Sequence, residues 1–387
     1  MKRLYFIDWL RVLAFFTLIL FHSAMPFVDH PWEVKNGDHS TVLYTFITWF
    51  HQWRLPLLFF ISGVGIHFSL QKRSVFRFFI ERVQRLFIPL LFAMFFTIPL
   101  QVYVEYLQKG KVHTSYFKFY PEVWKFIPYP DGALSWSHMW FVVYLFTFIF
   151  LLIPLLLLFK TRVLNTFKTK FSAFFNNPIA LLVPAFVIFV IYQQNFLKYP
   201  EQGSLVDDWF VFFSSVFYVQ AGYFFAASER FWEGCEKYRV IYLVTALTAT
   251  MVLLVRYYTP VRIPREEGPG TTFYFVLVTL LIWNTILSAI GYARKYLNKP
   301  SALLAYLNEA VFPFFIIHQT VIVGLGYLVV QLDLNLWIKF LMLSAGSAVL
   351  IFSFYHFIIR RTLITRFLYG MKLKRGASSA QAVVRNE

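Results

Sequence analysis

Arginine and histidine side chains recur inside apolar segments of this chain, where ionisable groups are costly and therefore informative. Arg11 and His22 lie in the first apolar segment, eleven positions apart. At about 100° per residue, this spacing returns to the same helix face and separates the groups by about 16 Å along the axis. An arginine inside a bilayer costs roughly 2.5–3.5 kcal/mol, so a function is the usual reason for keeping it. Asp8, three residues before Arg11, is placed to pair with it and to cap the helix.

Further histidine, arginine and tryptophan side chains occur in later apolar segments. His51 and Arg54 open the second segment, at a predicted depth similar to that of His22. The fourth segment opens with His138 and Trp140, and the ninth carries a histidine near its middle. An interfacial belt of aromatic and basic residues would give part of this pattern. We nevertheless expect a polar pocket that opens outwards, with candidate residues His22, His51, Arg54, His138 and His318.

Two arginines three positions apart suggest a site for an anionic ligand near the other membrane face. Arg82 and Arg85 share a helix face and precede the third apolar segment, which we predict to begin near residue 86. A helix N-terminus with two guanidinium groups is suited to bind phosphate. The excess of basic residues that is ordinary in cytoplasmic loops could also place two arginines at this spacing. The pair Ser62-Gly63 in the second segment is more typical of close helix packing than of chemistry.

Membrane helices must position these groups, because the composition excludes an ordinary soluble domain. The chain has 387 residues, of which 59% are apolar and 14% charged, whereas soluble domains have about 45–50% and 25%. Its single cysteine excludes a disulfide scaffold and a thiolate metal cluster. It has neither a Gly-x-x-x-x-Gly-Lys-Ser/Thr loop nor a His-Glu-x-x-His motif, so nucleotide hydrolysis and zinc proteolysis lose support. We predict no bound metal.

Ten apolar segments of about 20 residues predict an all-α, polytopic transmembrane bundle. We place them at residues 9–27, 51–70, 86–105, 138–159, 178–197, 210–228, 240–258, 271–291, 310–330 and 336–357. With the N-terminus inside, 24 Lys and Arg residues fall on the inner side and nine on the outer side, if Arg256 at the outer end of the seventh segment is included. This bias predicts that both termini are cytoplasmic. The net charge of +17 therefore reflects the topology of the chain in the lipid bilayer, and we expect no nucleic-acid partner.

The ordered set of motifs resembles the acyltransferase 3 family of integral membrane O-acyltransferases. The motifs are Arg11 with His22, a Phe-Phe-Ile-Ser-Gly run, Arg82-Val-Gln-Arg85, Ser-His138-Met-Trp140 and His318. The resemblance covers roughly residues 4–360 and is strongest to the glucan biosynthesis protein C subgroup, implicated in succinylating periplasmic glucans. It implies a transmembrane acyltransferase domain over residues 1–370. We predict that residues 371–387 form a disordered, basic cytoplasmic tail.

The resemblance implies a division of labour across a bacterial inner (plasma) membrane. A cytoplasmic acyl-CoA would donate an acetyl or succinyl group, and a glycan hydroxyl on the outer face would receive it. His22 would be the essential histidine, Arg11 would line the channel of the acyl donor, and Arg82 and Arg85 would bind the CoA phosphates. The remaining assignments are Arg11, His138 and His318 as catalytic residues, Ser62 as a CoA contact, and His51, Arg54 and Trp140 as acceptor contacts. A monomer and a homodimer both fit these expectations.

Two chemical routes and a second function remain open from the residues alone. Acyl transfer to a hydroxyl needs a base near the alcohol and hydrogen-bond donors near the developing oxyanion. A neutral histidine suits the first task, and Arg54 or His138 could serve the second. Direct transfer and a two-step route through an acyl-histidine both fit. The other function is a secondary transporter with Arg11, His22 and Glu309 as a proton relay, which would not need the paired arginines.

Overall fold

The computed structural model describes residues 3–158, 180–199, 201, 203–258 and 262–373. Apart from one isolated β-bridge, between Pro128 and Leu134, the regular secondary structure of these residues is helical. The all-helical prediction is therefore confirmed. The helices used below are α1 (Tyr5–Phe27), α2 (Thr41–Gln71), α3 (Val75–Gln108), α4 (Trp140–Leu158), α5 (Val183–Asn195), α6 (Trp209–Phe225), α7 (Glu229–Lys237), α8 (Arg239–Tyr258), α9 (Pro269–Leu297), α10 (Ala302–Val329), α11 (Leu336–Ile359) and α12 (Leu363–Leu368).

Each of the ten predicted apolar segments overlaps one of these helices. Among the described residues, seven helices are long and apolar enough to cross a bilayer, or eight if the bent pair α6 and α7 is counted as one span. Those seven are α1, α2, α3, α8, α9, α10 and α11. Helix α5 has 13 residues and is therefore about 20 Å long, less than the roughly 30 Å of a hydrocarbon core. Helix α6 is joined to α7 by a bend of 104°. The shorter helices thus complete the bundle without all having spanning length.

Two predicted helix starts are wrong because serine side chains cap the helices earlier. The Ser40 hydroxyl accepts a hydrogen bond from the Leu43 amide, and α2 begins ten residues before the predicted segment. The Ser74 hydroxyl caps α3 in the same way. Arg82 and Arg85 therefore lie inside α3 rather than at a helix N-terminus, and Arg85 belongs to a π-helical turn.

Asp8 does not have the predicted capping role. Helix α1 begins at Tyr5, and no side chain accepts a hydrogen bond at its N-cap position, Leu4. Asp8 lies within the first helical turn and pairs with Arg11 instead, with 3.0 Å between Oδ1 and Nη2. Its second oxygen pairs with Arg3 at 2.8 Å. The predicted ion pair is therefore confirmed and the predicted cap is wrong.

Glycine residues allow a close contact between helices α2 and α6. A Cβ atom built at Gly63 would lie 1.9 Å from the Val219 carbonyl oxygen, and one at Gly222 would lie 1.9 Å from the Phe60 carbonyl oxygen. No side chain fits at either position, so both residues must lack Cβ for the backbones to touch. This explains the Ser-Gly step in α2 as a packing motif.

Contacts between distant parts of the chain sort the bundle into two ends. At the end where α1 begins, Arg11 binds Asn308 near the start of α10. At the opposite end, the Lys339 ammonium group at the start of α11 donates to Asn36, after α1. Helices α1 and α10 thus run in the same direction and α11 runs in the opposite one, which agrees with the predicted topology. That the α1 start faces the cytoplasm stays a prediction, as does the domain boundary at residue 370; residues 374–387 of the predicted tail lie outside the described residues.

Candidate active site

Helices α1 and α10 bring predicted site residues together at two levels. Arg11 donates hydrogen bonds to Asp8 and to the Asn308 side-chain oxygen. Eleven residues further along α1, the ring of His22 lies 5.0 Å from the ring of His318 on α10. Both predicted residues of α1 therefore face the same neighbouring helix, and the same-face prediction is confirmed. The spacing along α10 explains the match, since Asn308 and His318 are ten residues apart.

One ring nitrogen of His318 is hydrogen-bonded, and the other has no hydrogen-bond partner within the described residues. Its Nδ1 lies 2.7 Å from the Phe315 carbonyl oxygen, so Nδ1 carries the proton in the neutral ring. Its Nε2 is buried and has no hydrogen-bond partner among the described residues. The same is true of Nδ1 of His22. Two adjacent rings thus offer unpaired nitrogens, which is the arrangement that proton abstraction or nucleophilic attack requires.

His138 joins the histidine cluster but uses both of its nitrogens. Its Nε2 donates to the carbonyl oxygens of Phe315 and Ile316 at 3.1 and 3.2 Å. Its Nδ1 accepts from the Gln101 amide at 3.4 Å. The ring lies 5.1 Å from that of His318. The His138 ring therefore packs against that of His318 and is hydrogen-bonded to the α10 backbone just before it. Neither nitrogen of His138 is left free for proton transfer.

Arg54 lies beside the histidine cluster with unpaired hydrogen-bond donors. Its guanidinium carbon is 4.2 Å from the ring centroid of Phe21 and 5.2 Å from that of Phe50. Its Nε and Nη1 atoms are buried and have no partner among the described residues. A buried cation with free N–H groups, next to the residue that precedes His22, is suited to stabilise a developing oxyanion.

His51 and Trp140 lie at a different pocket from the histidine cluster. His51 Nε2 is 3.0 Å from a carboxylate oxygen of Glu201. Together with Trp140, these residues line a pocket of about 550 Å³ of empty space, including its open mouth, between α2, α4, α5 and α6. Tyr192 and Ser214 also line it. The predicted convergence of all the polar residues is therefore not observed, although the ring of His51 contacts that of Phe21, the residue before His22.

Ser62 is turned toward its own helix. Its hydroxyl donates to the Leu58 carbonyl oxygen at 2.8 Å, one helical turn earlier. The neighbouring Gly63 forms the contact with α6 described above. The position of Ser62 thus follows from helix packing, and its role as a CoA contact stays a prediction.

A cationic cluster occupies the end of the bundle where α1 begins, and we call it the arginine end. Arg82 stacks over Phe78 at 4.9 Å, and its buried Nε has no partner among the described residues. Arg85 Nε donates to the Gly370 carbonyl oxygen at 3.2 Å, which draws the segment after α12 over α3. Lys372 follows on this segment. Its pKa is lowered by burial and then by the charge of Arg85, together with other nearby arginines.

Several residues of the site were missed by sequence reasoning. Gln101 of α3 contacts His138, and Gln319 follows His318 and donates to Glu33 at 2.6 Å. Gln101 has a detectable signal, because it is a polar residue inside a predicted span. Glu33 has none, since a carboxylate in a loop is ordinary. Within the described residues, no group of three His, Cys, Asp or Glu side chains is placed to hold a metal ion.

Comparisons with known proteins agree with this arrangement. A sequence profile of the acyltransferase 3 family, described as an acyltransferase domain, matches residues 4–356. Glucans biosynthesis protein C from Escherichia coli O139:H28 strain E24377A is 22% identical, covering 96% of this chain and 95% of that protein. The proteins of the same name from strains EC4115 and K12 match to the same extent. No solved structure matches. Because the profile covers most of the chain and the seven spanning helices lie within or overlap the matched region, this multi-pass membrane protein belongs to the acyltransferase 3 family.

Proposed function

We propose that this protein transfers an acetyl or succinyl group from cytoplasmic acyl-CoA to a glycan hydroxyl on the outer face of a bacterial inner membrane. The observation that carries the proposal is the His22–His318 ring pair, 5.0 Å apart and each with an unpaired nitrogen. The pair lies between the arginine end and the opposite end of the bundle. The name of the relatives, glucans biosynthesis protein C, supports a glucan as the acceptor class.

The arginine end suits the nucleotide part of acyl-CoA. Arg82 offers an N–H group with no partner in the described residues, and guanidinium groups bind phosphate in a fixed geometry. Arg85 and Lys372 add positive charge at the same place. Arg11 lies one level deeper, between this cluster and His22, and its buried Nε is also unpaired. A long, thin pantetheine arm would follow this line of cations toward the histidines.

The histidine pair supplies the base for transfer. In the direct route, an imidazole nitrogen takes the proton of the acceptor hydroxyl while its oxygen bonds to the thioester carbonyl carbon. The carbon–sulfur bond then breaks, and the departing thiolate takes that proton to give CoA. Arg54, with two unpaired donors, would hold the oxyanion of the tetrahedral intermediate. An acyl-histidine route would use the same nitrogens in two steps.

The transporter hypothesis is less well supported by the site. Glu309, the proposed last member of a proton relay, forms an ion pair with Arg366 of α12 and accepts a hydrogen bond from Tyr355. It therefore serves to attach the C-terminal segment at the arginine end. A relay carboxylate would instead need to exchange protons freely with its neighbours.

The test combines product analysis with a substitution at His22. Membranes that contain the wild-type protein, radiolabelled acetyl-CoA or succinyl-CoA and a glucan oligosaccharide should yield an acylated glycan, which mass spectrometry identifies. His22→Gln keeps hydrogen bonding but cannot accept a proton at neutral pH, so the rate should fall about 10²–10⁴-fold. CoA binding and the melting temperature should remain close to wild type.

The matched control is His356→Gln in α11. His356 also lies in a predicted span, but its ring Nδ1 is engaged with the Tyr306 hydroxyl, 3.1 Å away, at the arginine end. This variant should retain transfer. A folded, fully active His22→Gln protein would remove His22 from the mechanism, and wild-type membranes that acylate no glycan would contradict the proposed acceptor.

A further inference from the structure

The loop between α1 and α2, residues 28–40, is firmly held over the histidine cluster. The Lys35 ammonium group donates to the carbonyl oxygens of Val28 and His30. The backbone of Lys35 exchanges hydrogen bonds of 3.0 and 2.6 Å with the Gln108 side chain at the end of α3. Asn36 accepts from Lys339 of α11 at 3.0 Å. Because these bonds reach two other helices, the loop is a fixed cover and not a loose connection.

This cover places an aromatic ring and a carboxylate beside the histidines. The Trp32 indole lies 6.2 Å from the His22 ring, at an angle of 28°. The adjacent Glu33 accepts a hydrogen bond of 2.6 Å from the side-chain amide of Gln319. Gln319 directly follows His318 in α10, and Trp32 lies against His22, so both outer groups belong to the surroundings of the histidine pair.

A continuous line of polar groups then leads from Glu33 to His138. The Gln319 amide also lies 3.3 Å from the Ser137 hydroxyl, which donates to the Gln101 side-chain oxygen at 2.9 Å. The Gln101 amide in turn contacts His138 Nδ1 and donates to Thr320. Amides and hydroxyls thus connect the Glu33 carboxylate to the His138 imidazole.

Two acceptor oxygens at the Glu33 end of this line have no hydrogen-bond partner among the described residues. Glu33 Oε2 and Gln319 Oε1 are both buried, and no described residue donates to either. Gln319 is only 4% exposed. Buried polar atoms are rarely left unpaired in native proteins, because each lost hydrogen bond is costly. Two such acceptors, next to an aromatic ring and a pair of basic nitrogens, match a ligand rich in hydroxyl donors.

We propose that Glu33, Gln319 and Trp32 form the subsite that binds the acceptor sugar. Two sugar hydroxyls donate to Glu33 Oε2 and Gln319 Oε1, the apolar face of the sugar ring packs near Trp32, and a third hydroxyl is thereby presented to His22 and His318. The inference deepens the proposed function and rests on it. Arg54, a buried cation near His22, disfavours a cationic acceptor such as an amino sugar with a free ammonium group.

The ionisation of Glu33 fits a binding role. Burial raises its pKa to about 7, and the charge of Glu105 on α3 adds to this effect. A hydrogen bond from the backbone of Glu33 itself, the hydrogen bond from Gln319 and the charge of Lys109 lower the pKa and oppose this effect. Glu105 itself pairs with Lys109 and accepts from Tyr129 at 2.9 Å. A carboxylate that is held in an unfavourable environment and is stabilised by incoming hydroxyl donors is typical of functional sites.

Glu33→Gln is the decisive variant because it separates a structural role from a binding role. Its side-chain oxygen can still accept from Gln319, but the unpaired acceptor oxygen is replaced by an amide NH₂ group. The assay uses purified protein in proteoliposomes, radiolabelled succinyl-CoA, and a glucan oligosaccharide at varied concentration. We expect the KM for the oligosaccharide to rise at least tenfold, with kcat and the Kd of CoA within about twofold of wild type.

Glu122→Gln is the matched control. Glu122 lies in the loop between α3 and α4, is 46% exposed, and pairs with Lys125. Its substitution should leave every constant unchanged. An unchanged oligosaccharide KM in folded Glu33→Gln overturns the proposal, and so does a loss confined to kcat.

A binding measurement keeps this test separate from the test of the proposed function. The glucan oligosaccharide alone should raise the melting temperature of the wild-type protein in detergent. This shift should be absent in Glu33→Gln and in Gln319→Met. If the wild-type protein acylates nothing but still shows the shift, the subsite stands and the proposed reaction fails. If no oligosaccharide shifts the wild-type protein, the subsite is wrong.

Discussion

Arg82 and Arg85, which we propose to bind the CoA phosphates, should differ in how their replacement by alanine affects stability. Arg82→Ala removes a guanidinium group whose Nε has no partner in the described residues. It should therefore weaken CoA binding and leave the melting temperature nearly unchanged. Arg85→Ala also removes the 3.2 Å hydrogen bond to Gly370. It should weaken CoA binding and lower the melting temperature, because the segment after α12 loses its attachment to α3.

The size of the effect follows from the chemistry of charge-assisted hydrogen bonds. A bond to a charged group contributes roughly 1.5–3 kcal/mol, so each substitution should raise the Kd of CoA by about 10- to 150-fold. The loss of stability in Arg85→Ala should be about 1–3 kcal/mol, since the buried Gly370 carbonyl oxygen would lose this hydrogen bond. Arg85→Lys should restore CoA binding only in part, because an ammonium group cannot bind phosphate through two parallel N–H groups.

Calorimetric titration of the detergent-solubilised protein with CoA measures these constants. Pantetheine, which lacks the nucleotide phosphates, should bind the wild type and both variants equally. Arg77→Ala is the matched control. Arg77 is on the same helix and is 74% exposed, and it forms a long ion pair with Glu81, with 3.8 Å between Nε and Oε1. A double variant of Arg82 and Arg85 that binds CoA like wild type would refute the phosphate assignment. An equal loss of affinity in Arg77→Ala would reduce it to a general effect of charge.

Three further predictions concern packing, pH and topology. Gly63→Ala should lower the melting temperature, because overpacking costs about 1–3 kcal/mol. Gly65→Ala should not, because nothing lies within 4 Å of a Cβ atom built at Gly65. Equal melting temperatures of the two variants would contradict the close contact. Glu33 keeps its proton to a higher pH in the folded protein than in the unfolded chain, so stability should fall between pH 4.5 and about 7 by at most about 3 kcal/mol. Glu33→Gln should therefore melt above wild type at pH 8 and together with it below pH 4.5; a constant difference would argue against this titration. Reporter fusions after Lys198 and Glu267 should report the outer compartment, and a cytoplasmic signal at both would reverse the topology.

Sequence alone determined the features that depend on local composition and helical period. The apolar segments predicted an all-helical membrane protein because backbone groups in a bilayer must be paired within the protein, and segments of about 20 residues have the length of a spanning helix. The eleven-residue spacing of Arg11 and His22 fixed their common face for the same local reason, since one helix has one period. The ordered motifs indicated the acyltransferase 3 family, which the match over residues 4–356 confirms. The serine caps that moved the starts of α2 and α3 were visible in the sequence but were outweighed by hydropathy.

Only the tertiary structure decided which side chains meet. Nothing local to His318 says that its ring faces His22, because that contact depends on how α1 packs against α10. Glu33 belongs to a loop without any apolar period, and its place beside Gln319 follows from bonds to helices that are far away in sequence. His51 was predicted at the right depth, but it faces Glu201 and a separate pocket. Depth along a helix is set by counting residues, whereas the direction of a side chain relative to other helices is set by packing.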